Sequence, residues 1–79
     1  MNNKSIVIYT SPTCPNCEQL KRYLEANDIA FETKDIMEDP ANRDFIISKG
    51  FRGVPVTVID DADFVQGFKP MDILNLLKK

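Results

Sequence analysis

The 79 residues contain no histidine and no tryptophan. Without histidine, cysteine–histidine hydrolase chemistry and the commonest zinc ligand are both excluded. Only 2 cysteines are present. They stand at positions 14 and 17, where a bridge closes too short a loop to stabilise a fold much. No apolar run approaches the roughly 18 residues that cross a bilayer, and Met1-Asn2-Asn3-Lys4-Ser5 lacks the apolar segment of a secretory leader. A cytoplasmic location is expected, and in that reducing compartment a purely structural disulfide is not. Neither charge dominates, since 10 Lys and Arg stand against 12 Asp and Glu. Net charge therefore makes no case for nucleic acid or a membrane surface as partner.

What is present is the composition of an ordinary globular protein, 43% apolar and 28% charged. A chain of this length forms one domain, residues 1–79, and buries roughly 60–65% of the surface it exposes when unfolded. Within it, Thr10-Ser11-Pro12-Thr13-Cys14-Pro15-Asn16-Cys17 joins the end of an apolar run to the start of a helical pattern. A Cys-x-x-Cys at a strand-to-helix junction points to thiol–disulfide exchange, because a helix start is where a thiolate forms most easily.

The surrounding chain supplies that context. Ser5–Tyr9 is β-branched and aromatic without alternation, as in a strand covered on both faces. A helix is expected from about Cys14, with Pro15 in its first turn and Cys17, Leu20, Tyr23 and Leu24 on its apolar stripe, until Asn27-Asp28 stops it. Residues 29–36 alternate loosely and read as a second strand, parallel to the first through a right-handed crossover. Asp39 caps a second helix that begins at Pro40 and ends at Gly50, with Phe45 and Ile46 inward. Residues 54–59 form a buried strand whose proline must lie at its start. After a turn over 60–63, Phe64-Val65-Gln66 is a short strand that Gly67 breaks. A last helix begins at Pro70, with Met71, Ile73, Leu74 and Leu77 inward. Lys78-Lys79 places favourable charge at its end. The order is βαβαββα.

That order, with Cys-Pro-x-Cys before the first helix and Val54-Pro55 before the third strand, resembles the glutaredoxins along essentially the whole chain. The resemblance implies an α/β, thioredoxin-like fold: a four-stranded mixed sheet flanked by three helices. It also implies that Cys14 is the exposed nucleophile, Cys17 the resolving thiol and Pro55 a cis-proline facing them. Glutaredoxins commonly have Tyr where this chain has Asn16, and Lys where it has Ser11. After the fourth strand they carry Gly-Gly-x-Asp-Asp, whose acidic end holds the glutathione ammonium. Here the matching run is Gln66-Gly67-Phe68-Lys69-Pro70, which resembles the Ser-Gly-Phe-Arg-Pro segment of the NrdH-redoxins, proteins generally reduced by thioredoxin reductase.

These likenesses imply a monomeric dithiol oxidoreductase that donates electrons to a disulfide-bearing protein, with ribonucleotide reductase as a substrate and thioredoxin reductase as the source of electrons. No tightly bound cofactor, metal, nucleic acid or membrane is expected. A glutathione-dependent glutaredoxin is the alternative. A redox-sensing or binding module is another, because residues 9–17 also resemble the start of arsenate-reductase-like regulators that bind RNA polymerase. Those carry an inserted segment for which 79 residues leave no room. The candidate substrate-binding residues are Val54, Pro55, Gly67, Phe68 and Lys69, with Pro15, Asn16 and Lys21 in support. One helix face could carry Lys21 near the thiols. Phe51 and Phe68 flank the site and read first as packing, and Arg52 as a solvated cation.

Overall fold

The computed structural model describes residues 5–78. The expectations for Met1–Lys4 and for Lys79 fall outside them. Seven elements follow one another: β1 (Ile6–Thr10), α1 (Pro15–Ala26), β2 (Glu32–Asp35), α2 (Pro40–Ser48), β3 (Val56–Ile59), β4 (Asp63–Gln66) and α3 (Pro70–Leu77). This is the βαβαββα order expected. The strands form one mixed sheet in the order β2-β1-β3-β4. β1 pairs parallel with β2, Val7 opposite Glu32, and antiparallel with β3, Tyr9 opposite Val56. β3 pairs antiparallel with β4, Val56 opposite Gln66.

Strand side chains alternate between the two faces, and the apolar residues divide accordingly. Ile6, Ile8, Ile59 and Val65 pack with Leu20 and Leu24 of α1 and Ile73 of α3. On the other face Tyr9, Val56 and Val58 pack with Ile46 of α2. Aromatic rings extend this second layer: Tyr9 stacks on Phe45 with centroids 5.3 Å apart, and Phe64 lies 5.8 Å from Phe51. Phe51 is thus a packing residue. β1 and β3 lie in the middle and carry nearly all the buried strand residues, whereas β2 is an edge strand of mostly exposed polar residues.

Asp39 caps α2 as expected, its carboxylate accepting the Ala41 N–H at 3.0 Å. Between β3 and β4, Asp60 and Asp61 both have positive φ (54° and 57°), and the Ala62 N–H donates to the Ile59 carbonyl at 3.1 Å. Such a pair of left-handed residues makes the tight turn whose twist matches a hairpin, and Asp tolerates that conformation better than most residues.

Two strand starts and the facing of one side chain differ from the sequence reading for local reasons. β2 begins at Glu32 rather than residue 29, because Asp28 turns left-handed at φ 57° and the Ile29 N–H donates back to the Leu24 carbonyl at 2.9 Å. β3 begins at Val56 rather than residue 54, because the Val54–Pro55 peptide is cis and proline has no N–H for the ladder. Met71 is corrected from inward to outward, 63% exposed. Two residues at 100° each set it on the far side of α3 from buried Ile73, while Leu76 and Leu77, three and four residues on, pack on the core. Lys78 occupies the C-cap of α3.

One buried side-chain atom is left without a partner among the described residues, the Thr57 hydroxyl in the middle of β3. An unmade buried hydrogen bond costs about 1–3 kcal/mol, and a methyl of equal size does not incur it. Thr57→Val is therefore expected to be neutral or stabilising in urea unfolding. Leu24→Ala, which empties a site with 0% exposure, is expected to cost about 2–5 kcal/mol.

Candidate active site

The turn after β1 delivers Cys14 to the N-cap of α1, in extended conformation (φ −107°, ψ 104°) with Pro15 in the first turn. The Cys14 N–H donates to the Ser11 carbonyl at 3.3 Å, and the Cys14 carbonyl accepts from Glu18 at 3.3 Å. A helix N-terminus presents backbone N–H groups that lack helical partners. Here the Cys17 N–H donates to Cys14 Sγ at 3.1 Å. Sulfur thus fills the place that a Ser or Asp oxygen usually takes, and the positive end of the helix dipole adds to the preference for a charged thiolate there.

Cys17 lies one helical turn in, on the stripe of Leu20 and Leu24, and is 1% exposed, while Cys14 is half-buried. The two are joined as a disulfide with Cα atoms 5.2 Å apart, inside the range that bridged cysteines span. The pair therefore has one accessible sulfur and one covered sulfur.

The cis peptide places the Val54 carbonyl oxygen 3.7 Å from Cys14 Sγ. Gly67, at φ 89°, donates its N–H to the Pro55 carbonyl at 2.7 Å. This bond ties the segment after β4 to the proline turn. A side chain disfavours that φ, which suits glycine to the position. From there the Lys69 N–H donates to the Gly67 carbonyl at 3.1 Å, and Lys69 becomes the N-cap of α3 without a side-chain cap bond. Phe68 remains 38% exposed on the same segment.

Cys14, Cys17, Val54, Pro55 and Gly67 thus converge, with Phe68 and Lys69 continuing from Gly67. Pro15 and Asn16 lie exposed on the first turn of α1. Lys21, the third supporting candidate, holds a surface ion pair. Its ammonium pairs with Glu18 at 3.2 Å, and it lines a cleft of about 520 Å3 with Thr10, Thr33, Lys34, Asp35, Glu38, Asp39 and Asn42. The carboxylate three residues back is its ion-pair partner, on the i,i+3 spacing of the helix surface. Two clefts escaped the sequence reading, this polar one and a smaller one lined by Ile36, Arg43, Ile46, Ile47 and Arg52. Each gathers residues from separate segments that no local spacing connects. Among the described residues no three His, Cys, Asp or Glu side chains cluster as metal ligands, and no helix is long and apolar enough to cross a membrane.

A mixed four-stranded sheet with a Cys-x-x-Cys at the first helix start and a cis-proline opposite defines a dithiol redox protein of thioredoxin-like fold. The glutaredoxin family model matches residues 6–65. The glutaredoxin-like protein NrdH of Lactococcus lactis subsp. lactis is 34% identical over 71 residues, covering 90% of this chain and 97% of that protein. Among solved structures, the NrdH-redoxin of Escherichia coli superimposes with a TM-score of 0.83 at 32% identity, covering 92% of this chain and 93% of that one. The thioredoxin-like protein BC3987 does so with a TM-score of 0.83 at 34% identity, covering 92% and 100%. The chain belongs to the glutaredoxin family, and the NrdH-type proteins are among its relatives.

The unequal exposure of the two sulfurs generates a direct expectation. In the reduced protein Cys14 should alkylate first, at a pH below that at which an ordinary thiol of pKa about 8.5 reacts. Cys17 should lag. Mass mapping of iodoacetamide adducts across pH checks this, and faster labelling of Cys17 throughout would reverse the order.

Proposed function

We propose that this protein is the electron donor to a protein disulfide, with ribonucleotide reductase as a substrate and thioredoxin reductase as its own source of electrons. The observation that carries the reading is the position of Cys14 Sγ. It accepts the Cys17 N–H at 3.1 Å at a helix start and lies 3.7 Å from the Val54 carbonyl. The accessible sulfur is thereby biased toward thiolate, beside a stretch of backbone that an extended substrate can pair with.

The reaction runs in two displacements. The Cys14 thiolate attacks one sulfur of the substrate disulfide. That S–S bond breaks, a mixed disulfide forms, and the departing substrate thiolate takes a proton from water. Cys17 then loses its proton and attacks Cys14 Sγ, which releases the second substrate thiol and closes the Cys14–Cys17 disulfide. Two electrons have passed to the substrate. Cys17, at 1% exposure, is out of reach of the substrate disulfide, which leaves Cys14 as the sulfur that attacks first. An external reductant reverses the exchange. The bridged pair therefore serves as the redox group, with no tightly bound cofactor.

The choice of reductant rests on the segment at Gly67-Phe68-Lys69-Pro70. Relatives that use glutathione place carboxylates where this chain has Lys69 and Pro70. An ammonium arriving there meets a cation, with a cost in affinity of about tenfold. Thioredoxin reductase reads protein surface and is not subject to that repulsion. The reading extends to residues 1–79 acting as one domain, as a monomer, in the cytoplasm, where the dithiol form is maintained.

Cys17→Ser should trap a stable mixed disulfide with a protein substrate, and Cys14→Ser should trap none. Equal capture by both, seen on non-reducing gels, would refute the division of roles. Turnover with thioredoxin reductase should exceed that with glutathione and glutathione reductase, and the double substitution Lys69→Asp with Pro70→Asp should raise the glutathione rate. Faster turnover with glutathione by the unaltered protein would identify it as a glutathione-dependent glutaredoxin.

A further inference from the structure

The cleft lined by Ile36, Arg43, Ile46, Ile47 and Arg52, about 340 Å3 in volume, lies on the α2 side of the sheet. Its walls combine apolar surface with charge of one sign. Ile46 is 2% exposed, and Ile47 is 50% exposed. Arg43 and Arg52 are both exposed, and neither pairs with a carboxylate among the described residues, where the ion pair present is Lys21–Glu18. The larger cleft is different in kind. It sets Lys21 and Lys34 among Asp35, Glu38 and Asp39, so it supplies counterions of its own. In a chain of net charge −2, the smaller cleft is a local basic site whose counterions must come from elsewhere.

Its place relative to the thiols gives it a use. Arg52 precedes Val54 by two residues, a separation of at most about 7 Å since the chain bends at Gly53 and Val54, and the Val54 carbonyl lies 3.7 Å from Cys14 Sγ. A polypeptide aligned along the Val54 backbone with its cysteine at Cys14 therefore passes this cleft within a few residues of the reacting sulfur.

We propose that this cleft selects the protein substrate by receiving an acidic stretch next to the substrate cysteine, its carboxylates on Arg43 and Arg52 and an apolar side chain on Ile36, Ile46 and Ile47. The inference rests on the dithiol reading above and names the class of substrate that the site prefers. Guanidinium groups match carboxylates in planar geometry and keep their charge at any working pH. The isoleucine floor distinguishes an acidic-apolar protein segment from glutathione, whose carboxylates come without an apolar body to cover it. Exposed charge pairs are individually weak, so two of them support a preference of about three- to tenfold that falls as salt rises.

The test uses two peptides that differ only by Glu or Gln at two positions flanking Cys-x-Leu, each disulfide-linked to thionitrobenzoate, whose release is followed by absorbance. The pre-reduced protein, in excess over peptide and in a single turnover, should show a second-order rate constant three- to tenfold higher for the Glu peptide at low salt, with the ratio approaching one near 1 M salt. In the double variant Arg43→Gln with Arg52→Gln the ratio should fall to about one. Because both peptides are measured on the same variant, a general loss of folded protein leaves that ratio unmoved. Equal rates for the two peptides on the unaltered protein, or a ratio retained by the double variant, would overturn the proposal. So would glutathione competing as well as a cysteine-free version of the Glu peptide, which would assign the arginines to a small carboxylate ligand. The symmetric aryl disulfide of thionitrobenzoate, which carries no peptide, separates the two levels. Its reduction beside equal peptide rates refutes only the selective cleft. Failure to reduce it or either peptide refutes the dithiol reading, and the cleft proposal with it.

Discussion

The antiparallel pairing of β1 with β3 is the constraint on which the rest depends. β1 ends at Thr10, four residues before Cys14, and β3 begins at Val56, just after the cis peptide. With Tyr9 opposite Val56, the two loops leave the sheet at the same end and meet. A slip of one residue would invert the faces of β3. Val56 and Val58 would lose Ile46 and the aromatic layer, and Ile59 would leave the core formed with Leu20, Leu24 and Ile73. The apolar cores on the two faces therefore also locate the sulfur, although neither core touches the chemistry.

The division between faces assigns different work to the helices. α1 and α3 share one core, and their N-termini bear the cysteine pair and Lys69 respectively. α2 covers the opposite face and caps itself with Asp39, so it needs no functional residue to hold its end. α1 has no such independent cap. Its N-terminal bond is accepted by Cys14 Sγ, so the order of the first turn and the electronic state of the nucleophile are coupled.

The element order, the second helix cap and the position of the cysteine pair were legible in the sequence because each is local. Strand composition, apolar spacing and the prolines at 15, 40 and 70 settle them within a few residues. The cis state of Pro55 came from the family resemblance, since only about 5–6% of such bonds are cis in folded proteins. The start of β2 was misplaced because a left-handed Asp28 is indistinguishable in sequence from an ordinary turn residue. Met71 was misplaced because it is apolar, although its angular distance from Ile73 sets it outward. The cleft between Arg43 and Arg52 was illegible for another reason. It is made by Ile36 just after β2, the side of α2 and the loop before Pro55, and only the fold brings those together.

The strand order leaves β2 at one margin of the sheet. It is four residues long and reads Glu-Thr-Lys-Asp, its first three residues exposed. A margin so short and so charged is a poor template for a strand from another molecule. β1, the apolar strand that would be hazardous if bare, has β2 on one side and β3 on the other. At that margin a strand from another molecule meets charged side chains rather than an apolar ladder, so sheet growth from the β2 side is disfavoured.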